Sequence, residues 1–486
     1  MGPKRGHRES RRPLFFVDLF AHYWQHRLLH STPTVRASVP ALLFLLILTP
    51  ALVRGAGSDS DLALEWLQNY LRIDSSTPAG AEEAAAYLRD VLHHHGIATR
   101  WLVSPEGRPS LFAYLEPAAG AEETVVLLHH ADVVPAGSGW TQPPYGGEIM
   151  GGTLFGRGAV DDKSLGIAHL WSFIEASKQV SRLTRGLAFL AVTDEETGGE
   201  QGSGWLVESH PELFRDVVAV LGEGGMNRIR QGRVVWWGIE VAQKRPLWLR
   251  ATAAGRPGHG STLNLHTAPH RLIRGLNRLL DRPLDFRVTP EARRYLEAVA
   301  PMEPRGFQEV VANMNEIFSH PEPATRLMPG MPNYFLDSIQ INGLEAGERL
   351  NAVPDQASAL IDIRLLPDID EKAFLTEIRQ LVGSDVELEV LLSAPPSAPS
   401  PTDTPFFHCL QEILEQRAPV APAFIPGITD ARYFRQREIP AYGFSPFMLD
   451  SGSLRGIHGP DEQISVEAFQ AGVSVLDRVI TGCVME

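Results

Sequence analysis

At 486 residues the chain exceeds what one hydrophobic core supports, so two or three domains of roughly 100 to 200 residues are expected. Its 44% hydrophobic and 21% charged residues exclude a disordered or fibrous protein, and a net charge of -14 argues against nucleic acid as a partner. The two cysteines, Cys409 and Cys483, are too few for a disulfide scaffold and lack the spacing of a thiolate metal site; they read as buried thiols, with a single bridge left open.

Residues 1–57 read as a targeting segment. Basic residues from Lys4 to Arg36 precede an apolar run, Val39 to Val53, followed by small residues at Gly55, Ala56 and Gly57. That run is shorter than the roughly 20 apolar residues of a comfortable membrane span, which favours a cleaved signal peptide over an anchor. The protein is expected to be exported, secreted or periplasmic, and held at a membrane only if the leader is retained. Asp61 to Ile73 and Ala81 to His95 then carry apolar residues at helical spacing. The runs Thr124–Leu128, Leu187–Val192 and Val217–Leu221 predict buried strands, separated by helices over Ser164–Ser177 and Gly204–Leu213.

A second module begins near Leu247, with a strand through WLRATAAG, a helix over Ala268–Leu280, strands at Phe335–Ile341 and Ala357–Leu365, and a helix at Glu371–Val382. Ser393–Thr404 reads as an exposed Pro/Ser connector. The first pattern resumes with a helix from Pro405, a strand at Ala441–Phe444 and a helix over Ser465–Ile480. The fold class is thus α/β: a catalytic domain with a mostly parallel sheet flanked by helices, in two parts at 58–245 and 393–486, and an inserted α+β domain at 246–392.

Several polar motifs sit where these strands end, the edge at which open α/β sheets bind ligands. In LLHHADVVP, His130 and Asp132 share one face of the strand, so His130 suits a metal and Asp132 would accept its other ring N–H; His129 points away. In GRGAVDDKS, Asp161 suits a carboxylate bridge between two cations, leaving Asp162 to cap the helix. Asp194-Glu195-Glu196 places like charges side by side, costly without a cation, and hydrolysis needs one metal-bound glutamate beside a free one. Glu223 in LGEGG and His458 in GIHGPDE carry little weight alone; Asp461 and Glu462 behind His458 read as caps of the following helix. His93-His94-His95 reads as a helix end facing the negative pole of its dipole.

Taken in order, HHADVVP, GRGAVDDKS, TDEETGG, LGEGG and IHGPDE resemble the co-catalytic zinc peptidases that include aminoacylase, glutamate carboxypeptidase and Gly-Xaa carboxypeptidase. The stretch WTQPPYGGEIMGGTLFGRGAVDDKS looks most like the branch of Gly-Xaa carboxypeptidase and N-fatty-acyl-amino acid hydrolase. The resemblance implies two zinc ions, other divalent metals being alternatives, held by His130, Asp161, Glu196, Glu223 and His458 with Asp161 bridging. It makes Asp132 the orienting aspartate and Glu195 the general acid/base, and implies a cis peptide after Asp161. It also makes the inserted module a lid that often carries a homodimer interface. His259 in GRPGHGS would then stabilise the oxyanion in a partner's site, and Asn351 and Arg432 would touch substrate, Arg432 through a free carboxylate. The implied substrates are small peptides or N-acyl amino acids; the alternative from another class is an inactive binding ectodomain.

Overall fold

The computed structural model describes residues 59–117, 122–320, 327 and 330–486, so the leader expected over 1–57 lies outside the described residues. The larger sheet runs, in spatial order, Thr99–Val103, Pro109–Leu115, Gly186–Val192, Thr124–His130, Val217–Gly222, Ala441–Gly443, Arg233–Gln243 and Val420–Ile425, with Arg228–Arg230 paired beside Arg233–Gln243. Its centre is parallel: Thr124–His130 pairs in parallel with both Gly186–Val192 and Val217–Gly222. Every residue of Thr124–His130 and of Gly186–Val192 is buried, which explains apolar runs without alternation. Helices Asp59–Leu71, Lys163–Ser177 and Val466–Val484 pack against one another beside this sheet. The expected helix over Gly204–Leu213 instead breaks into Trp205–Ser209 and a 3-10 turn at Pro211–Leu213, because Pro211 cannot continue the hydrogen-bond ladder.

A second, antiparallel sheet runs Ser338–Glu345, Gln356–Leu365, Arg245–Ala254 and Glu387–Ser393. Burial alternates along Gln356–Leu365, and Leu249, Ile361 and Ile363 share a separate core with helices Ala268–Leu280 and Glu371–Val382. The strand expected from Phe335 starts only at Ser338, because Phe335 ends a 3-10 turn and turns into the core of the larger sheet. Helix Pro290–Val299 follows the same route: Tyr295, Leu296 and Val299 join that larger core, with the helix against Val420–Ile425. The connector is less exposed than its composition suggests. Ser400 is buried, its N–H donating to Val241 O at 2.9 Å and its hydroxyl to Ala441 O at 2.6 Å.

Cys409 and Cys483 are joined in a disulfide, correcting their reading as thiols. They lie on the packed helices Pro405–Glu415 and Val466–Val484, which bring their Cα atoms to 5.7 Å, a separation that a bridge spans. Among the described residues no helix is long and apolar enough to cross a membrane.

Candidate metal centre

Four loops at the C-terminal edge of the larger sheet, together with the loop that carries His458, bring the polar motifs to one point. His130 ends its strand fully buried, with Nδ1 2.9 Å from the main-chain oxygen of Asp132. A carbonyl oxygen only accepts, so Nδ1 carries a proton and Nε2 is the ring atom free for a cation. This corrects the expected role of Asp132: its carboxylate is 3.8 Å from Nδ1 and instead accepts the N–H groups of Glu195 (3.3 Å) and Glu196 (3.1 Å). Those donors open a 3-10 turn, Glu195–Thr197, whose first N–H groups have no partner of their own, which is why the carboxylate is drawn to them. His129 does point away, packing on Phe189 and against Gly166, where a Cβ would sit 2.3 Å from its ring.

Asp161 stands between two histidines. Its Oδ1 is 3.0 Å from His130 Nε2 and its Oδ2 is 3.3 Å from His458 Nε2. Glu223 approaches the first imidazole at 3.8 Å and Glu196 the second at 3.2 Å. Glu195 lies on the His130–Glu223 side, its ligand atom within 4.8 Å of both. The peptide bond between Asp161 and Asp162 is cis, as the resemblance implies. Asp162 occupies the N-cap of helix Lys163–Ser177, but its side chain makes no capping hydrogen bond and its buried Oδ2 has no partner, so the expected cap is not formed.

The electrostatics are those of a site short of positive charge. Burial raises Asp132 and Glu223 each to about 7 and pushes Glu195 well above the usual carboxylate range, with the Glu223 charge adding to the effect. Burial works against ionising Asp161, yet His130 and His458 hold it below its ordinary value. Hydrogen bonding to Asp161 and then to Glu196 pushes His458 up to about 10. The buried Oε1 atoms of Glu196 and Glu223 have no hydrogen-bond partner. Orphaned carboxylate oxygens beside two imidazoles fit divalent cations, with Asp161 between two positions.

Two residues missed in the sequence belong here. Glu462, fully buried, accepts Arg157 Nη1 (2.7 Å) and the N–H groups of Gly158 (3.0 Å), Val160 (2.7 Å) and Asp161 (3.0 Å). It clamps the Asp161 loop to the His458 loop and does not cap a helix. Asp430, also buried, lines one small cavity with Glu195 and Glu223 and accepts Ser203 Oγ at 2.8 Å. The only hint was an acid beside Arg432 in TDARYF.

Of the other expected substrate residues, Arg432 lies beside the centre and His259 and Asn351 lie apart from it. Arg432 is buried, donating through Nη1 to Thr429 O at 2.8 Å and through Nη2 to Gly198 O, so its guanidinium braces the bend after Glu196 while its Nε has no partner. His259 and Asn351 are exposed neighbours at the ribbon formed by Gly258–His259 and Ala352–Val353, with His259 Nδ1 2.8 Å from Ser261 Oγ. Neither belongs to the groups whose ligand atoms converge.

Residues 126–482 match the model of peptidase family M20/M25/M40. The chain belongs to that family. It is therefore a hydrolase, and the binding-ectodomain alternative finds no support. Aminoacylase-1 of Sus scrofa is 26% identical over 423 residues, 85% of this chain and 93% of that protein. The N-fatty-acyl-amino acid synthase/hydrolase PM20D1 of Xenopus tropicalis is 28% identical over 388 residues, 76% and 75% of the two chains. The M20 family metallo-carboxypeptidase Sso-CP2 from Sulfolobus solfataricus shares the fold with a TM-score of 0.67 at 18% identity, over 87% of this chain and 99% of that one. Human carnosine dipeptidase 1 does so at 0.65 and 16%, over 87% and 97%.

Proposed function

We propose that the M20 hydrolase cleaves the amide bond of small peptides or N-acyl amino acids next to a free carboxylate, using two zinc ions. The observation that carries this is Asp161 set between His130 and His458, each with its own glutamate, and a further glutamate, Glu195, beside them. His130, Asp161 and Glu223 would hold one ion, and His458, Asp161 and Glu196 the other. When bound, the ions supply Lewis acidity that acidifies water and polarises the carbonyl. Glu195 takes the proton of the attacking water and passes it to the leaving nitrogen, so that water adds across the C–N bond and releases an acid and an amine. Burial, with the Glu223 charge adding to it, raises the Glu195 carboxyl above the usual carboxylate range, which favours its holding the proton between the two transfers.

His259, and Asn351 beside it, would complete the site from the lid of a second copy, His259 supporting the oxyanion. The leader would direct export. In the purified, zinc-loaded protein, Glu195→Gln should keep both equivalents of metal while turnover of N-acetyl amino acids and dipeptides falls by several orders of magnitude. An active Glu195→Gln protein would sink the acid/base role.

A further inference from the structure

Strand Arg233–Gln243 of the larger sheet passes directly into strand Arg245–Ala254 of the antiparallel one, and the chain returns through residues 394–397, after strand Glu387–Ser393. Both passages, together with Arg432, line one small cavity whose charged residues are Lys244, Arg245 and Arg432, with no carboxylate among them. These side chains are buried, the residues being 1%, 5% and 2% exposed. Three cations around one cavity repel one another and lose their hydration, a cost that buried charges ordinarily offset by pairing.

The chain's own groups offset it only in part. Lys244 Nζ donates to Leu336 O at 2.8 Å, and Arg245 donates to Ala394 O at 3.1 Å and to Ile369 O at 2.6 Å. Among the described residues, Arg245 alone of the three has a carboxylate within ion-pair distance, Glu371 at 3.8 Å, whose other oxygen accepts Ser393 Oγ. Burial lowers Lys244 to about 8 and Arg245 below its ordinary value, whereas the burial of Arg432 is outweighed by Tyr433 and Asp430. Two donors are left over, the buried Nε atoms of Arg245 and Arg432, neither of which has an acceptor. Gln243 does not serve them, since its side-chain oxygen already accepts the N–H and hydroxyl of Thr429.

We infer that this cavity binds one small monovalent anion, of chloride size, between Arg245 and Arg432. Its volume of about 10 Å³ has room for a single water-sized group and too little for a carboxylate on its chain, so the ion is distinct from the carboxylate of a substrate. A neutral water would accept from the leftover donors but leave the charges uncompensated. The anion ties both passages to Arg432, which donates to Gly198 O just after the turn Glu195–Thr197. It thereby steadies the attachment of the inserted domain and the metal-centre turn together.

The test replaces sodium gluconate with sodium chloride at constant ionic strength, so that screening stays fixed, on the full zinc-loaded protein. The melting point should rise and then level off, and over the same range kcat on N-acetyl amino acids and dipeptides should rise about fivefold with KM unmoved. The melting point does not depend on the proposed amide hydrolysis, so a protein that cleaves nothing still tests the site. Crystals grown in bromide should show its anomalous peak between Arg245 and Arg432. Lys244→Gln and Arg245→Gln should each raise the chloride concentration required by about tenfold; should either fail to fold, the wild-type melting curve and the bromide peak decide. A melting point that never levels, with no bromide peak, means a water only and overturns the site. Chloride that raises KM overturns it too, because the ion then competes with substrate. An effect undiminished in both variants places chloride on the zinc and also overturns it. Bromide in the cavity with kcat flat, on an active protein, overturns the tie to the metal-centre turn.

Discussion

Glu462 offers the sharpest quantitative test of how the centre is held. It is fully buried, as is Arg157, and each of its oxygens accepts two donors from the loop 157–161, while Arg157 Nη2 also donates to Gly459 O at 3.0 Å. Glu462→Ala removes one partner of a buried ion pair, which costs about 3–5 kcal/mol because Arg157 is left charged and uncompensated. Three N–H groups lose their acceptor as well, but those of Val160 and Asp161 are only part-buried, so water offsets some of that loss and the total stays near this range. Because the clamp joins the loops of Asp161 and His458, zinc affinity should fall about 10- to 100-fold, the usual effect of losing a residue that orients ligands. Urea denaturation of chelator-treated protein reads the first effect, and competitive zinc titration reads the second. The double variant Arg157→Met, Glu462→Met separates them. Removing both charges should recover much of the stability, but not the affinity, since the loop N–H groups still lack their acceptor. A Glu462→Ala protein within about 1 kcal/mol of wild type, binding zinc unchanged, would refute this account.

Zinc affinity should also rise steeply with pH. Glu223, held at about 7, and His458, at about 10, both shed protons when a cation binds, so apparent affinity should gain about tenfold per pH unit for each proton displaced between pH 5 and 7. Without metal the sign reverses for folding. The raised Glu223 and Asp132 hold protons in the native state that the unfolded chain has released, so they stabilise most at low pH and lose that contribution as pH rises from about 4 through 7. The melting point of chelated protein should therefore drop from pH 5 to 7.5 while that of zinc-loaded protein does not; parallel curves would contradict this. Separately, reducing the Cys409–Cys483 bridge, which closes a span of 74 residues, should cost about 2–4 kcal/mol, read as a lower urea midpoint in reductant, and an unmoved midpoint would count against it.

What could be read from the chain was what local chemistry repeats. Thr124–His130 and Gly186–Val192 announce themselves because strands buried on both faces need uninterrupted apolar residues, and the ligand motifs follow directly at strand ends. The strand Arg233–Gln243 was missed because it begins with exposed and half-buried residues and carries a buried Glu240 whose partner, Arg435, lies 195 positions away. Helix Pro290–Val299 was not read from the sequence; that it packs on the large sheet depends on aromatic neighbours such as Trp236, supplied by a distant strand.

The same limit applies to polar residues. A carboxylate beside a helix reads as a cap because the helix N-terminus is the nearest set of free N–H groups in sequence, and on that ground Asp162 and Glu462 looked alike. The fold offers Glu462 a second set of unpaired N–H groups about 300 residues away, at Gly158, Val160 and Asp161, together with a buried guanidinium. Asp132 is drawn in the same way, from the imidazole beside it to the turn at Glu195 and Glu196. In both cases a carboxylate serves main-chain donors next to a proposed ligand. The residues that could hold metal are therefore recognisable by type, whereas those that fix their geometry are recognisable only by which backbone groups the fold leaves unpaired.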